Sequence, residues 1–406
     1  MTRSEALRSD AQAMSDELRQ LRHQLHRRPE IGLHLPRTQE TVLAALDGLG
    51  LEVSTGTELS SVTAVLRGGR PGPAVLLRGD MDALPVQEET GLDYSSEVDG
   101  VMHACGHDLH TAMLVGAARL LSAHRESLAG DVVFMFQPGE EGWDGAGYML
   151  HEGVLDAAGS RVTSAYGMHV MSSATPRGQF TTRPGTLMAA SDELRVTVHG
   201  SGGHGSAPHL ARDPITVAAQ LVGDLQTMVT RRFNVFDPVV LTIGTFHAGT
   251  KRNIIPDQAE FSATVRSFSA EARELMRTAS VQLCESVAAA YGLEVDAEYL
   301  EEYPVTVNAP EHAAFAAGVA LEVFGDDRYA PQAYPQAGSE DFSRVLAEVP
   351  GAYLFLGAAP GDDHETAPNN HSPRAEFSDS VLADGTLLHA ELAVRALERD
   401  AAPASA

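Results

Sequence analysis

Short apolar runs punctuate the first half of the chain: AVLL at 74–77, VVFMF at 132–136 and AYGM at 165–168, with another, AYLFLGA, at 352–358. Runs of this length, bounded by polar or turn residues, predict strands buried on both faces. Between them the period changes. In HTAMLVGAARLL, Leu114, Val115, Ala118 and Leu121 fall on one helical face. Strands alternating with helices predict an α/β sheet that is largely parallel.

The middle of the chain has another rhythm. DELRVTVHG (192–200) alternates as a half-buried strand does, and a helix is predicted over 214–232. Two strands, PVVLTIGTF and QAEFSATVRSF, precede a helix over 270–291 and a last strand, LEVDAEYLEEY. The order βαββαβ predicts a ferredoxin-like sandwich of helices on one antiparallel sheet. A chain of 406 residues exceeds the size at which one core usually divides. Because AYLFLGA returns to the α/β pattern, residues 188–303 are expected as a domain inserted into one built from 1–187 and 304–406.

The residues just past each strand carry the chemistry. GDMDALP brings Asp80 and Asp82, GEEG brings Glu140 and Glu141, and His169 comes directly after AYGM. Open α/β sheets bind ligands beyond the carboxyl ends of their strands, so these side chains are predicted at one edge.

Composition narrows the partners. The formal charge of −26, from 29 basic and 55 acidic residues, repels nucleic acid and anionic lipid. No window approaches ~18 uninterrupted apolar residues, and the opening MTRSEALRSDAQAMSDELRQ is polar and helix-like, so no membrane span or signal core is read there. Cys105 and Cys284 are too few for a disulfide framework. A cytoplasmic protein is expected. The closing AAPASA reads as a disordered tail, and no repeat of 20–50 residues is found.

The densest chemistry lies in HACGHDLH, residues 103–110. Cys105 has three readings: metal ligand, nucleophile, or small buried hydrophobe. As a nucleophile it needs a base within hydrogen-bond reach, and His107, two residues away, is poorly placed for that. As a ligand it has company in His107, Glu141, His169 and, within PNNHSP, His371. Thiolate, imidazole and carboxylate together suit divalent metals of borderline softness. Asp108 is expected to cap the following helix, whose N-terminus would favour a thiolate at Cys105. Neighbours at a strand end point in opposed directions, so one of Glu140 and Glu141 is expected to coordinate while the other serves as general base; the plain alternative is a surface acid pair.

GDMDALP, HACGHDLHTAML, FQPGEEG, YGMHV, GSGGHGSAPH and PNNHSP, with HRRPEIG at 26–32, closely resemble the metal-dependent amidohydrolases of the aminoacylase and carboxypeptidase-G superfamily. The branch resembled is that of hippurate and indoleacetyl-amino-acid hydrolases. The resemblance implies an α/β fold, with a zinc-peptidase-like catalytic domain and an inserted dimerisation or lid domain. It also implies hydrolysis of the amide bond of N-acyl amino acids or related conjugates. It implies two divalent metal ions per subunit, Zn2+ or Mn2+ with Co2+ or Ni2+ as further options, held by Cys105, His107, Glu141, His169 and His371, with Cys105 bridging. Glu140 becomes the general base, Asp82 orients the site, and His204 reaches the partner subunit's active site in a homodimer to steady the oxyanion. Peptidase members of the superfamily have a His-x-Asp motif where this chain has Asp80, Met81 and Asp82. His107 is read as compensating.

Asn253, in KRNIIP, is a candidate for the substrate carboxylate, ahead of Arg266 on its alternating strand. His209 and Ser339 are further candidates for substrate contact, with Glu340 beside the latter; His103, His110 and His151 are read as supporting or structural. A dipeptidase or carboxypeptidase is the neighbouring reading, and a non-catalytic metal-binding protein the more distant one.

Overall fold

The structure, a computed structural model, describes residues 2–401; Met1 and 402–406, most of the AAPASA tail, lie outside the described residues. The chain forms two compact units: Met1–Gly185 with Val307–Ala333 and Arg344–Ala406, and Thr186–Thr306 with Tyr334–Ser343.

In chain order the strands used below are β1 (Glu52–Thr55), β2 (Val62–Leu66), β3 (Ala74–Asp80), β4 (Asp131–Gln137), β5 (Ser164–Met171), β6 (Phe180–Thr182), β7 (Ala190–His199), β8 (Val239–Ala248), β9 (Gln258–Ser267), β10 (Glu294–Tyr303), β11 (Tyr329–Pro331) and β12 (Gly351–Gly357). The helices are α1 (Arg3–Ala13), α2 (Ser15–Arg27), α3 (Pro36–Leu46), α4 (His107–Ala123), α5 (Gly145–His151), α6 (Pro214–Arg232), α7 (Ala270–Ala290), α8 (Pro310–Phe324) and α9 (Leu382–Ala401).

The first unit is built on an eight-stranded sheet in the order β1-β2-β4-β3-β5-β12-β6-β11. Its centre, β4-β3-β5-β12, is parallel, and β2, which pairs antiparallel with β4, leads to the edge strand β1. β3 and β12 are buried at every position, as their continuous apolar runs require. α4 is buried along nearly its whole length, with Leu109, Met113 and Leu120 joining Leu77, Phe134 and Leu354 in one core.

The second unit carries a four-stranded antiparallel sheet, β8-β9-β7-β10, whose elements run as βαββαβ along the chain. Its central strands, β7 and β9, alternate buried and more open positions, and the buried set, Leu194, Val196, Val198, Phe261 and Val265, packs with Val217, Leu221, Met276 and Cys284 of α6 and α7. Residues 334–343, which periodicity leaves with the first domain, join this unit: Ala189 N–H donates to the carbonyls of Gln336 and Gly338, and Gln336 N–H to that of Leu187.

Candidate metal centre

β3, β4 and β5 deliver their chemistry to one edge. Asp80 lies in register with Gln137 and Arg78 with Gly167, so Asp80 and His169 stand level. Past Gln137 the chain turns, and buried Asp82 clamps that turn: one carboxylate oxygen accepts the Glu140 N–H and the other the Glu141 N–H, each at 3.0 Å. The two glutamates therefore do not alternate as on a strand. β4 closes before them, and their carboxylates and His107 all lie within 4.8 Å of one another, which replaces the expected opposed directions.

Cys105 sits in the turn before α4, whose first residue is His107. Gly106 joins them at φ +83°, and a Cβ there would lie 2.4 Å from a Val170 methyl, so only glycine serves. Asp108 does not cap this helix. Its side chain is buried and accepts from Arg22 Nε and His26 Nδ1, both at 2.8 Å. Both bonds fall on Oδ2, and Asp108 stands inside the first turn of α4, with Gly106 at the cap position.

Two imidazoles are held in a defined tautomer. His107 Nδ1 lies 2.9 Å from the Asp82 carbonyl and His169 Nδ1 2.7 Å from the Val170 carbonyl. A carbonyl only accepts, so each Nδ1 carries a proton; neutral His169 presents a lone pair on Nε2, and His107 would do so on giving up its second proton to a bound cation. His169 Nε2 is 3.3 Å from Cys105 Sγ. From the opposite loop, His371 places Nε2 3.2 Å from Cys105 Sγ and 3.2 Å from Glu141 Oε1. His371 adopts φ +71°, an unfavourable conformation for a residue with a Cβ, and its N–H is anchored on the Ala104 carbonyl.

The donor atoms fall into two triads that share one member. Those of Cys105, His107 and His169 lie within 4.8 Å of one another, as do those of Cys105, Glu141 and His371. His107 Nε2 and Glu141 Oε1 are buried without a hydrogen-bond partner among the described residues; the short approach of Glu141 Oε1 to His371 lacks hydrogen-bond geometry. Buried polar atoms left unsatisfied are costly, and a divalent cation in each triad would satisfy them. The mixed sulfur, nitrogen and oxygen donors fit such ions.

The electrostatics are those of a site short of positive charge. Burial works against a charged His107, but Asp80 and Cys105 outweigh it and its imidazole titrates well above the usual range. The hydrogen bond to Cys105 and the Glu141 carboxylate 3.2 Å away push His371 up to about 10. Burial, then the neighbouring His110 and His107, hold His169 well below the ordinary value. Burial and the Glu141 charge raise the Cys105 thiol, against the lowering expected from the helix N-terminus.

A model of Peptidase family M20/M25/M40 matches residues 76–395. The chain belongs to this family. It is 39% identical to thermostable carboxypeptidase 1 of Saccharolobus solfataricus, over 96% of this chain and 98% of that one. It is 36% identical to hippurate hydrolase of Campylobacter jejuni, over 95% and 98%. Among solved structures, the Bacillus subtilis YXEP protein, described as a dinuclear metal binding peptidase from M20 family, matches with a TM-score of 0.81 at 32% identity, covering 95% of this chain and 99% of that one.

In this M20 chain the remaining candidates lie in the second unit. His204 is exposed, and Ser206 N–H donates to its Nδ1 at 3.2 Å, so the ring proton resides on the outward Nε2. Asn253 and His209 are exposed and Ser339 is half-buried. The Asn253 carbonyl accepts the Gly205 N–H next to His204. Among the described residues Arg266 bonds locally, to Thr264 and the Val265 carbonyl. One residue that pattern reasoning missed is Asn370, whose Nδ2 donates to the carbonyls of Cys105 and Val170 at 3.2 and 3.0 Å. Its place beside His371 in PNNHSP was the available signal.

Proposed function

We propose that the protein hydrolyses the amide bond of N-acyl amino acids or related conjugates, releasing a carboxylic acid and an amino acid. The observation that carries this reading is the pair of triads sharing Cys105, with Glu140 beside them. Cys105, His107 and His169 would hold one divalent ion and Cys105, Glu141 and His371 another, zinc or manganese first, cobalt or nickel as substitutes. When bound, such ions polarise the acyl carbonyl and make water nucleophilic near neutral pH.

This chain's own residues do the rest. Glu140, fixed through its N–H by Asp82, accepts a proton from the attacking water and passes it to the leaving amine. The outward Nε2–H of His204 donates to the oxyanion, an arrangement that stabilises only as charge develops. We assign that role to the partner subunit's His204 in a homodimer. Among the described residues β8 is paired on one side only, and it exposes Val240 and Phe246, which supports a second copy adding there. Asn253, His209 and Ser339 are assigned to the substrate. No helix among the described residues is long and apolar enough to cross a membrane, and both cysteines are free, which supports a cytoplasmic setting.

The test is a panel of N-acetyl, N-benzoyl and longer N-acyl amino acids on protein reconstituted with each metal. Release of free amino acid is expected. Protein holding two metals that cleaves none of them would refute the reading. The 39% identity to a carboxypeptidase favours one second reading, cleavage of longer peptides from the carboxyl end, which peptides of increasing length in the same assay distinguish.

A further inference from the structure

His110 stands outside both triads, yet its hydrogen bonds lead to one of their members. It lies in the first turn of α4, fully buried, and Val170 N–H donates to its Nε2 at 2.8 Å. An amide N–H only donates, so Nε2 is the bare nitrogen and the proton sits on Nδ1, which lies 2.5 Å from Asp80 Oδ1. Asp80 is itself fully buried and anchored: its second oxygen accepts from Arg78, and its carbonyl accepts from Thr111 Oγ1 at 2.8 Å. Val170, gripped through its N–H by His110, offers its carbonyl to His169 Nδ1 at 2.7 Å. The His110 and His169 rings also meet edge to face, with centroids 4.7 Å apart.

We infer that His110 is a positioning residue, the middle link of a relay from Arg78 through Asp80, His110 and the Val170 backbone that fixes the ring plane and tautomer of His169. This rests on the reading of His169 as a ligand. It also accounts for Asp80. A carboxylate bound by a guanidinium on one side and an imidazole N–H on the other is a support rather than a third donor to His107, from whose Nε2 it stands 3.8 Å away.

A side chain at this position must satisfy Val170 N–H and Asp80 together. Alanine does neither. Glutamine can set a carbonyl oxygen where Nε2 stands, whereas asparagine is too short to reach that far. Supports of this kind are worth about 10- to 100-fold in metal affinity.

The experiment is a competition titration of the apoprotein with Zn2+ against a chromophoric chelator, together with the thiolate-to-metal absorption of the Co2+ form. Both read the ligands without turnover. His110→Ala is expected to weaken one of the two sites by about 10- to 100-fold and to shift the Co2+ spectrum, while His110→Gln recovers most of the affinity. Alanine binding both ions as tightly as the unaltered protein would overturn the inference. If alanine does not fold, glutamine against asparagine decides: tighter binding by glutamine supports the relay, equal binding by the two overturns it. An unaltered protein that binds no Zn2+ would instead count against the metal centre itself, which keeps the two failures apart.

Discussion

Asp82→Asn is the perturbation whose size comes most directly from the geometry. The Asp82 carboxylate accepts one amide N–H on each oxygen, those of Glu140 and Glu141, both at 3.0 Å. Asparagine keeps one acceptor and turns an NH2 towards the other amide, donor against donor. One charge-assisted hydrogen bond, worth roughly 1.5–3 kcal/mol, is lost on one side of the turn. If that cost falls on the transition state, where Glu140 must face the attacking water, each 1.36 kcal/mol is tenfold and kcat/KM should fall roughly 10- to 160-fold. The loss should appear mainly in kcat, because the clamp touches proton transfer rather than substrate binding. The Asp82 carbonyl, which holds His107, belongs to the backbone and survives the change. Metal content by elemental analysis, with kcat and KM on an N-acyl amino acid at saturating metal, checks this. An Asp82→Asn protein holding two ions with kcat/KM within about twofold of the original would refute the clamp.

Four further outcomes are expected. Glu140→Gln should keep both ions, by elemental analysis, yet lose about 10²- to 10⁴-fold in kcat, the usual worth of a general base. Dialysis against a chelator should abolish turnover, and readdition should restore it at two ions per chain, with emission from Trp143, the single tryptophan and close in sequence to Glu141, reporting the change. Cys105→Asp should shift preference from Zn2+ towards Mn2+ in competition titrations, since a hard oxygen replaces a soft sulfur. In the second unit, Asp192 is buried and holds Arg273 through two nitrogens, the Tyr299 hydroxyl and the Glu302 N–H. Asp192→Ala should cost about 1.5–3 kcal/mol in denaturant unfolding, because it removes charge-assisted hydrogen bonds to Arg273 and Tyr299 and leaves Arg273, among the described residues, only Glu301, 3.6 Å away.

Where one element's own pattern decided the outcome, the sequence was a good guide. Continuous apolar runs located β3, β4, β5 and β12, and the rule that ligands gather beyond strand ends brought Asp82, Glu140, Glu141 and His169 to one edge. The failures were at side chains whose partners are distant in the chain. Capping preference made Asp108 a helix cap, but Arg22 and His26, 86 and 82 residues earlier, take its carboxylate. Strand alternation was applied to Glu140 and Glu141 beyond the point where β4 ends, and a turn has no two-residue period. The transfer of 334–343 to the second unit rests on three backbone hydrogen bonds, which no side-chain pattern encodes. The tautomers of His107, His169 and His204 were equally out of reach, since each depends on which backbone group faces the ring.

Those tautomers also set the charge that bound ions would have to offset. Asp80 is paired with Arg78 and His110, whereas Asp82 keeps its charge, because the Glu140 and Glu141 amides that hold it are neutral. His107 and His169, with Nδ1–H directed at carbonyls, would enter as neutral donors. Asp82, Cys105, Glu140 and Glu141 bring four negative charges to the triads, which two divalent ions would offset without excess. In a protein of net charge −26, the centre stripped of ions would instead repel an anion. An acylated amino acid carries a carboxylate next to the bond to be cut, and the corresponding amino acid amide does not. Removal of the ions should therefore weaken binding of the acid more than binding of the amide, with the difference shrinking as salt is added; equal weakening of the two would refute this count of charges.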